Sequence, residues 1–381
     1  MSEPRRRILI VVDGRYPSTG GAEMQARLLA RSFAGAGCGV RVIAPMLEPD
    51  KQRLDEVDGV PLERIPYPKV RLLGALVLCL RFGRALIANR GRYDAVHVHM
   101  ARNLAAVAGL LKPWFRASLT VKISGAWEFD NGILDVRRRD RPLNRLYNAL
   151  IRRADSIQCV SEYTRSRVLE AGYYPGQVRL IPNAVDIGRF RPRLARTDVS
   201  PIVVFVGRLV PVKGLPVLLE AWRRMPQGGK ARLVIAGDGP ERQRLVELAA
   251  TLGIADTVTF LGEVADVPEV LSRASIYVQP SHVEGLSNSV LEAMASGLPI
   301  VATRISGNED LITNGINGIL VPPADPDELS RALSRLLANP DEAGLMGIAS
   351  RSAIERNYAT PVVMQRLLEV YGLQNGRCHG H

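Results

Sequence analysis

Two stretches of the chain carry the same order of apolar and polar positions. The first, RRRILIVVDGRYPSTGGAEMQARLLARSFAGAGCGVRVIAP, has an unbroken apolar run at 8–12, a glycine-rich loop, a segment with helical periodicity and a second apolar run. Unbroken apolar runs suit strands buried on both faces of a parallel sheet, and the 3.6-residue period between them suits a crossover helix. The plan restarts at PIVVFVGRLVPVKGLPVLLEAWRRMPQGGKARLVIAGDGP. Further strand candidates are YDAVHVHM, ASLTVKIS and SIQCVS in the first half, and TVTFLGE, ASIYVQPS, LPIVATR and GILVPP in the second. The pattern predicts an α/β protein of two Rossmann-like doubly wound domains in tandem, which leave a ligand cleft at the C-terminal ends of their strands.

The expected division is residues 1–190 and 191–357, because proline, arginine and polar residues interrupt the pattern in IPNAVDIGRFRPRLARTDVSP. Residues 358–381 are expected to form a last helix that packs back on the first domain, followed by a frayed tail, NGRCHGH.

A length of 381 residues fits two domains, and 46% hydrophobic with 23% charged residues is a folded composition, not a disordered one. Cys38, Cys79, Cys159 and Cys378 form no C-x-x-C pair, so neither a disulfide framework nor a metal knuckle is expected, and a reducing cytoplasm is the expected compartment. Arginines 5–7 are followed by only a short apolar run before Asp13, which reads as a first strand and not a leader. The uncharged stretch 72–80 is far short of the roughly 20 residues that a spanning helix needs.

The formal net charge of +12 is unevenly placed. Residues 1–190 hold 31 Lys+Arg against 18 Asp+Glu, net +13, while residues 191–381 hold 19 against 20, net −1. A solvated basic face accounts for this, and so does an anionic partner for the first half alone, such as a membrane surface or a lipid phosphate. Nucleic acid is disfavoured: only 5% of residues are aromatic, too few to interleave the basic stretches regularly.

Loops that leave strands carry the candidate chemistry. GRYPSTGGAE lacks the dinucleotide fingerprint G-x-G-x-x-G, yet Gly20 and Gly21 leave backbone N–H groups open to an anion at the next helix; a simple tight turn is the other reading. In GRLVPVKG, Arg208 and Lys213 suit two negative charges such as a diphosphate, although such a pair is often solvated surface. In SHVEGLSNSVLEAMASGLP, the N–H groups of 285–289 are expected to be unpaired at a helix start and to favour a phosphate. A carboxylate repels phosphate, so Glu284 and Glu292 are better suited to accepting hydrogen bonds from hydroxyls on either side. The alternative is that Glu284 caps the helix and Glu292 is an exposed helical residue.

Together, Glu284-Gly-x-x-Asn288-x-x-x-Glu292, Arg208, Lys213-Gly214, Gly237-Asp238-Gly239-Pro240, Pro182-Asn183-x-x-Asp186 and Gly20-Gly21 resemble the retaining nucleotide-sugar glycosyltransferases of family 4, which have the GT-B fold. The resemblance runs from about residue 8 to residue 358, in the family's order. It implies that Arg208 and Lys213 hold the donor diphosphate, with Gly20 and Gly21 touching it from the other domain. Glu284 would bind sugar hydroxyls, the amides of Gly285, Leu286, Ser287 and Asn288 would meet sugar and phosphate, and Glu292 would hold the ribose. Glu263 and Val264 lie where the family places the base, and Asn183 belongs to the matched set. Asp325-Pro326-Asp327 fits a helix start better than a metal site, so no metal or cofactor is expected beyond the donor, a UDP- or GDP-sugar.

One departure concerns SLTVKISGAWEFDN, where many family members carry a histidine facing the donor sugar; here Ser124 or Lys122 stands in that region. His97 and His99 point to one face of their strand, and read as a lining near the acceptor or as satisfied core, with a metal pair the weakest option. KVRLLGALVLCLRFGRALIANR and DVRRRDRPLNRLYNALIRRADS mix arginine with leucine at helical spacing, as packed amphipathic helices do, and also as a surface does that meets an anionic membrane or a lipid-phosphate-linked acceptor. The expected activity is hexose transfer from a nucleotide diphosphate sugar to a glycan or lipid-linked hydroxyl in cell-envelope assembly. The alternatives are a nucleotide-sugar epimerase on the same fold and a donor-binding protein that has lost turnover.

Overall fold

The computed structural model describes residues 6–125, 128–129, 132–192, 200–225 and 231–374, with the side chain of Arg71 excepted. The expected tail, with Cys378, and residues 193–199 of the expected interdomain stretch lie outside the described residues.

In the first unit, eight strands make one sheet: β1 (Arg7–Val12), β2 (Gly39–Pro45), β3 (Leu54–Val57), β4 (Val60–Ile65), β5 (Ala95–His99), β6 (Ser118–Ile123), β7 (Ser156–Cys159) and β8 (Val178–Leu180), in the order β3-β4-β2-β1-β5-β6-β7-β8. All neighbours are parallel except β3 and β4, an antiparallel hairpin at one edge. The second unit holds β9 (Ile202–Val206), β10 (Arg232–Ala236), β11 (Val258–Gly262), β12 (Ile276–Gln279), β13 (Ile300–Thr303) and β14 (Gly318–Val321), all parallel, in the order β11-β10-β9-β12-β13-β14. Relabelled within its own unit this is 3-2-1-4-5-6, the doubly wound order that the apolar runs predict.

Burial explains those runs. Residues 8–12 of β1 are fully buried because alternate side chains enter different cores. Leu9 and Val11 face the layer that holds Phe82 and Leu104, and Ile8 and Ile10 face the layer that holds Phe33. In the second unit, Val203 and Phe205 of β9 meet Leu218, Leu219 and Leu333 in the same way.

The compact units divide between Ala184 and Val185 and again between Ala359 and Thr360. The sequence pattern alone places these breaks at 190/191 and 357/358, and the difference has a hydrogen-bonding cause. Gln25, on the helix Gly21–Gly35, takes both backbone groups of Ala184: its Nε2 donates to the Ala184 carbonyl at 2.8 Å, and its Oε1 accepts from the Ala184 N–H at 2.9 Å. The next N–H, of Val185, donates instead to Tyr358 in the second unit at 2.9 Å. Helix Thr360–Val370 then joins the first unit, where Val363, Leu367 and Tyr371 enter the core around Phe33. Among the described residues no helix is long and apolar enough to cross a membrane.

Candidate functional site

In the second unit the strand order reverses between β9 and β12, and the crevice beyond the C-terminal ends of two such strands is where open α/β sheets hold ligands. The two loops that leave there are 207–214 and 280–287.

A third loop holds the first in place. After β10, Gly237-Asp238-Gly239 lies against Gly207 and Leu209: the Gly207 N–H donates to Ala236 at 3.0 Å, and the Leu209 N–H donates to Asp238 at 2.9 Å. A Cβ on Gly239 would sit 2.4 Å from the Leu209 carbonyl, so only glycine permits this approach. The end of the same loop touches the loop after β12. Gly214 has φ 66°, its Cβ would lie 2.1 Å from the Pro280 carbonyl, and the His282 N–H donates to Val212 at 2.8 Å.

That contact brings Lys213 onto Glu284. The ammonium donates to Glu284 Oε1, in an ion pair that is mostly shielded from water. The same oxygen accepts from Gln279 Nε2 at 2.8 Å and from Ser281 Oγ at 2.9 Å, while Oε2 has no partner among the described residues. Gln279 is itself held, since its Oε1 is 2.8 Å from the hydroxyl of Tyr277. The Tyr277 hydroxyl also lies 2.8 Å from Ser289 Oγ and 3.2 Å from the Val206 carbonyl. Burial pushes the Tyr277 phenol far up and keeps it neutral, and the nearby carboxylates of Glu284 and Glu292 act in the same direction. Tyr277 and Gln279 do not stand out as functional positions in the sequence. Their one signal is two polar side chains at i and i+2 on an otherwise apolar buried strand.

The helix after this loop spans Asn288–Ala295, with Ser287 as its N-cap. Ser287 Oγ accepts from the Val290 N–H at 3.4 Å, so the cap is this serine and not Glu284. Gly285, Leu286 and Ser287 therefore precede the helix, and Asn288 opens it. Residues 285–287 are thus in the loop ahead of the helix and not in its first turn, where a helix start at 285 places them.

Glu292 lies one turn into the helix, partly buried, and burial pushes its carboxyl up to about 7, opposed by the charge of Arg189. Arg208 is exposed just beyond β9 and has no ion pair among the described residues. Glu263 is exposed and Val264 half-buried beyond β11, two strands away from β9 in the sheet. Asp325 caps the helix Pro326–Ala338 by accepting from the N–H groups of Asp327 and Glu328, which is the helix start expected for that Asp-Pro-Asp.

The remaining candidates belong to the first unit. Gly20 precedes the helix Gly21–Gly35 in extended conformation, and its carbonyl accepts from Met24 at 2.8 Å. The Glu23 carboxylate lies over this turn, so close that a Cβ on Gly20 would fall 2.3 Å from Glu23 Oε2. An anion approaching that helix start meets this carboxylate, which the glycine pattern alone does not reveal. Asn183 is buried immediately before the domain break. Ser124 follows β6, with its Oγ buried and without a hydrogen-bond partner among the described residues, and its N–H donating to Glu128 Oε1 at 2.9 Å.

Lys122 is almost fully buried, and its Nζ has no hydrogen-bond partner among the described residues. Burial lowers its ammonium to about 7, and the charge of Glu128 works against that shift. Burial likewise raises Glu128 to about 7, although the N–H groups of Ser124 and Gly125 that it accepts pull the other way. His97 and His99 are fully buried, with ring centroids 4.4 Å apart, and His97 Nδ1 is 2.6 Å from the hydroxyl of Tyr371. Burial holds His97 at about 3 and His99 well below its ordinary value, so both are neutral core side chains.

A model of the family described as glycosyl transferases group 1 matches residues 186–353, and one described as glycosyl transferase 4-like domain matches residues 20–184. The GDP-mannose-dependent alpha-(1-6)-phosphatidylinositol monomannoside mannosyltransferase of Mycobacterium tuberculosis is 34% identical over 236 residues, 56% of this chain and 61% of that protein. The match thus spans about three fifths of such curated relatives. Sucrose-phosphate synthase from Thermosynechococcus elongatus superposes with TM-score 0.80 at 23% identity, over 97% of this chain and 98% of the synthase. The HepE protein of Anabaena, solved with UDP-glucose, superposes with TM-score 0.77 at 19% identity, over 96% and 99% of the two chains. At these identities the two structures speak for the fold alone.

Proposed function

The chain belongs to the glycosyl transferases group 1 family, with the GT-B fold, and we propose that it is a retaining transferase that moves a hexose from a nucleotide diphosphate sugar to a hydroxyl. The observation that carries this reading is the locked pair of loops at the β9/β12 reversal, which sets one cation and one carboxylate side by side. Glu284 has Oε1 fixed by Lys213, Gln279 and Ser281, and offers Oε2 to sugar hydroxyls. Lys213 uses one of its three N–H groups on Glu284 and keeps the others for a phosphate oxygen. Arg208, exposed at the same loop, supplies a second cation with a fork that suits a diphosphate.

Breaking the bond from sugar to phosphate builds positive charge on the sugar and negative charge on the leaving diphosphate. Lys213, Arg208 and the amides of 285–288 stabilise that leaving group, with the loop packing holding the backbone that carries them and Glu284 holding Lys213. Glu292, partly buried on the next helix, is suited to the ribose, with Glu263 and Val264 toward the base. Neither carboxylate acts here as a general acid.

The named activity of the mycobacterial relative uses GDP-mannose on an inositol phospholipid, and the Anabaena protein is seen in complex with UDP-glucose. They support a donor of the UDP- or GDP-sugar class, with an acceptor on a glycan or lipid-linked glycan of the cell envelope, reached from the cytoplasm. A panel of labelled nucleotide sugars incubated with membrane extract tests the reading. Label moved to an acceptor with the anomeric configuration of the donor supports it. Sugar interconversion without acceptor, or donor binding without turnover, overturns it, and so does unchanged transfer by Glu284→Ala.

A further inference from the structure

The helices Arg71–Ala88, Asn103–Leu111 and Pro142–Ile151 lie side by side over one face of the first unit's sheet. Leu78, Phe82 and Leu86 of the first of these point into the core. The water-facing side of its first three turns is also apolar: Leu72 is 83% exposed, Leu76 57% and Leu80 64%. Residues spaced by four form one stripe along a helix, so these leucines make a continuous ridge facing water. Leu143 and Leu146 on the outer side of the third helix are exposed as well.

A cavity of about 570 Å³ opens beside the C-terminal half of the ridge helix. It is lined by Arg81, Arg84 and Arg53, with Glu63 as the single carboxylate and the β4 end at Ile65 and Pro66 as its floor. Glu63 is already engaged by Arg53 at 3.3 Å and Arg41 at 3.8 Å. Arg81 Nη1 donates to the Pro66 carbonyl at 2.6 Å, which fixes that guanidinium at the rim. Arg84 has no partner among the described residues and stands one turn after Leu80, at the junction of ridge and cavity.

We propose that this helix and cavity form a docking seat for an anionic phospholipid of a bilayer, with the headgroup phosphate among Arg53, Arg81 and Arg84 and the leucine ridge in the acyl boundary. Exposed leucines gain from leaving water wherever an apolar phase is offered, and the charge beside them selects which apolar phase. Three arginines against one carboxylate attract a negatively charged surface, as does the +13 of residues 1–190. A protein partner seated on the ridge alone would leave the arginine cavity unused. The seat involves no residue assigned to the donor, so it stands or falls separately from the transfer reaction.

The test is co-sedimentation of the full chain, without donor, with vesicles of phosphatidylglycerol mixed with phosphatidylcholine and with vesicles of phosphatidylcholine alone. Binding is expected with the anionic vesicles at low salt and is expected to weaken as salt rises. Arg84→Glu, and separately Leu72→Ser combined with Leu76→Ser, should each lower the partition coefficient about tenfold or more. All three side chains are exposed, so the thermal melting midpoint should stay unchanged, which keeps lost binding distinct from lost folding. Equal binding to both kinds of vesicle, or none to either, overturns the proposal. So does an effect of Arg84→Glu without one of the leucine pair when glycerol phosphate competes fully, since that marks a small-anion pocket only. A ridge that instead holds two copies of the chain together, seen as a change of mass in light scattering with the leucine variant and no vesicle binding, overturns it too.

Discussion

At the residue scale, the two oxygens of Glu284 are held differently: Oε1 accepts from Lys213, Gln279 and Ser281, while Oε2 has no partner among the described residues. Replacing Glu284 by Gln keeps its size and removes the charge that Lys213 pairs with. Hydrogen bonds to charged groups are worth about 1.5–3 kcal/mol, so kcat/KM for transfer should fall roughly ten- to a hundredfold or more, read by steady-state kinetics. Glu292 makes a prediction in pH. Its folded value, about 7, lies above the ordinary 4.5, so the folded state holds the proton more tightly. Stability is therefore expected to fall as pH rises from near 4.5 through about 7 and then to level off. Glu292→Gln should flatten this slope and be more stable than the parent above pH 7 by on the order of 2 kcal/mol, measured as unfolding free energy across that range. If Glu292 holds ribose, the same variant should bind nucleotide more weakly.

At the element scale, the site depends on loops that touch through glycine. Gly214 and Gly253 both sit at positive φ, 66° and 69°, but a Cβ on Gly253 meets nothing within 4 Å, whereas on Gly214 it would strike the Pro280 carbonyl. Alanine at either position carries the left-handed penalty of about 1 kcal/mol. Gly214→Ala should additionally part the two loops, separate Lys213 from Glu284 and lower kcat/KM at least tenfold, on the scale of a misplaced catalytic group. Gly253→Ala should leave transfer unchanged. Comparing the two variants by kinetics and by melting separates the conformational cost, which they share, from the close approach, which only one has. The capping of the helix at 288 by Ser287 belongs to the same scale. The local sequence allows a helix to begin at several places, and only the geometry of the loop from β12 selects one.

At the scale of the whole molecule, the first unit is built from two separated pieces of chain, and its core is closed by Val363, Leu367 and Tyr371 from the C-terminal helix. Leu367 is fully buried, so Leu367→Ala should cost about 2–5 kcal/mol, with amide exchange accelerated in the first unit and little changed among residues 202–336. Nucleotide binding, measured as a rise in melting temperature with UDP, GDP or ADP, should pick out the base that the protein prefers. The sequence by itself determined the parallel body of the two sheets, since unbroken apolar runs with helical periodicity between them have few other ways to be buried. It offered the candidate chemistry as well, because Arg208, Lys213, Glu284 and Glu292 stand in loops or helices that follow strands. Tertiary structure alone decided the point of division, where Gln25 takes Ala184 and Tyr358 takes Val185, side-chain and backbone bonds across long separations that leave no local pattern. It alone decided that Lys213 pairs with Glu284, that Tyr277 and Gln279 hold that pair in place, and that Glu23 lies over Gly20, because each of these depends on how closely two backbones approach.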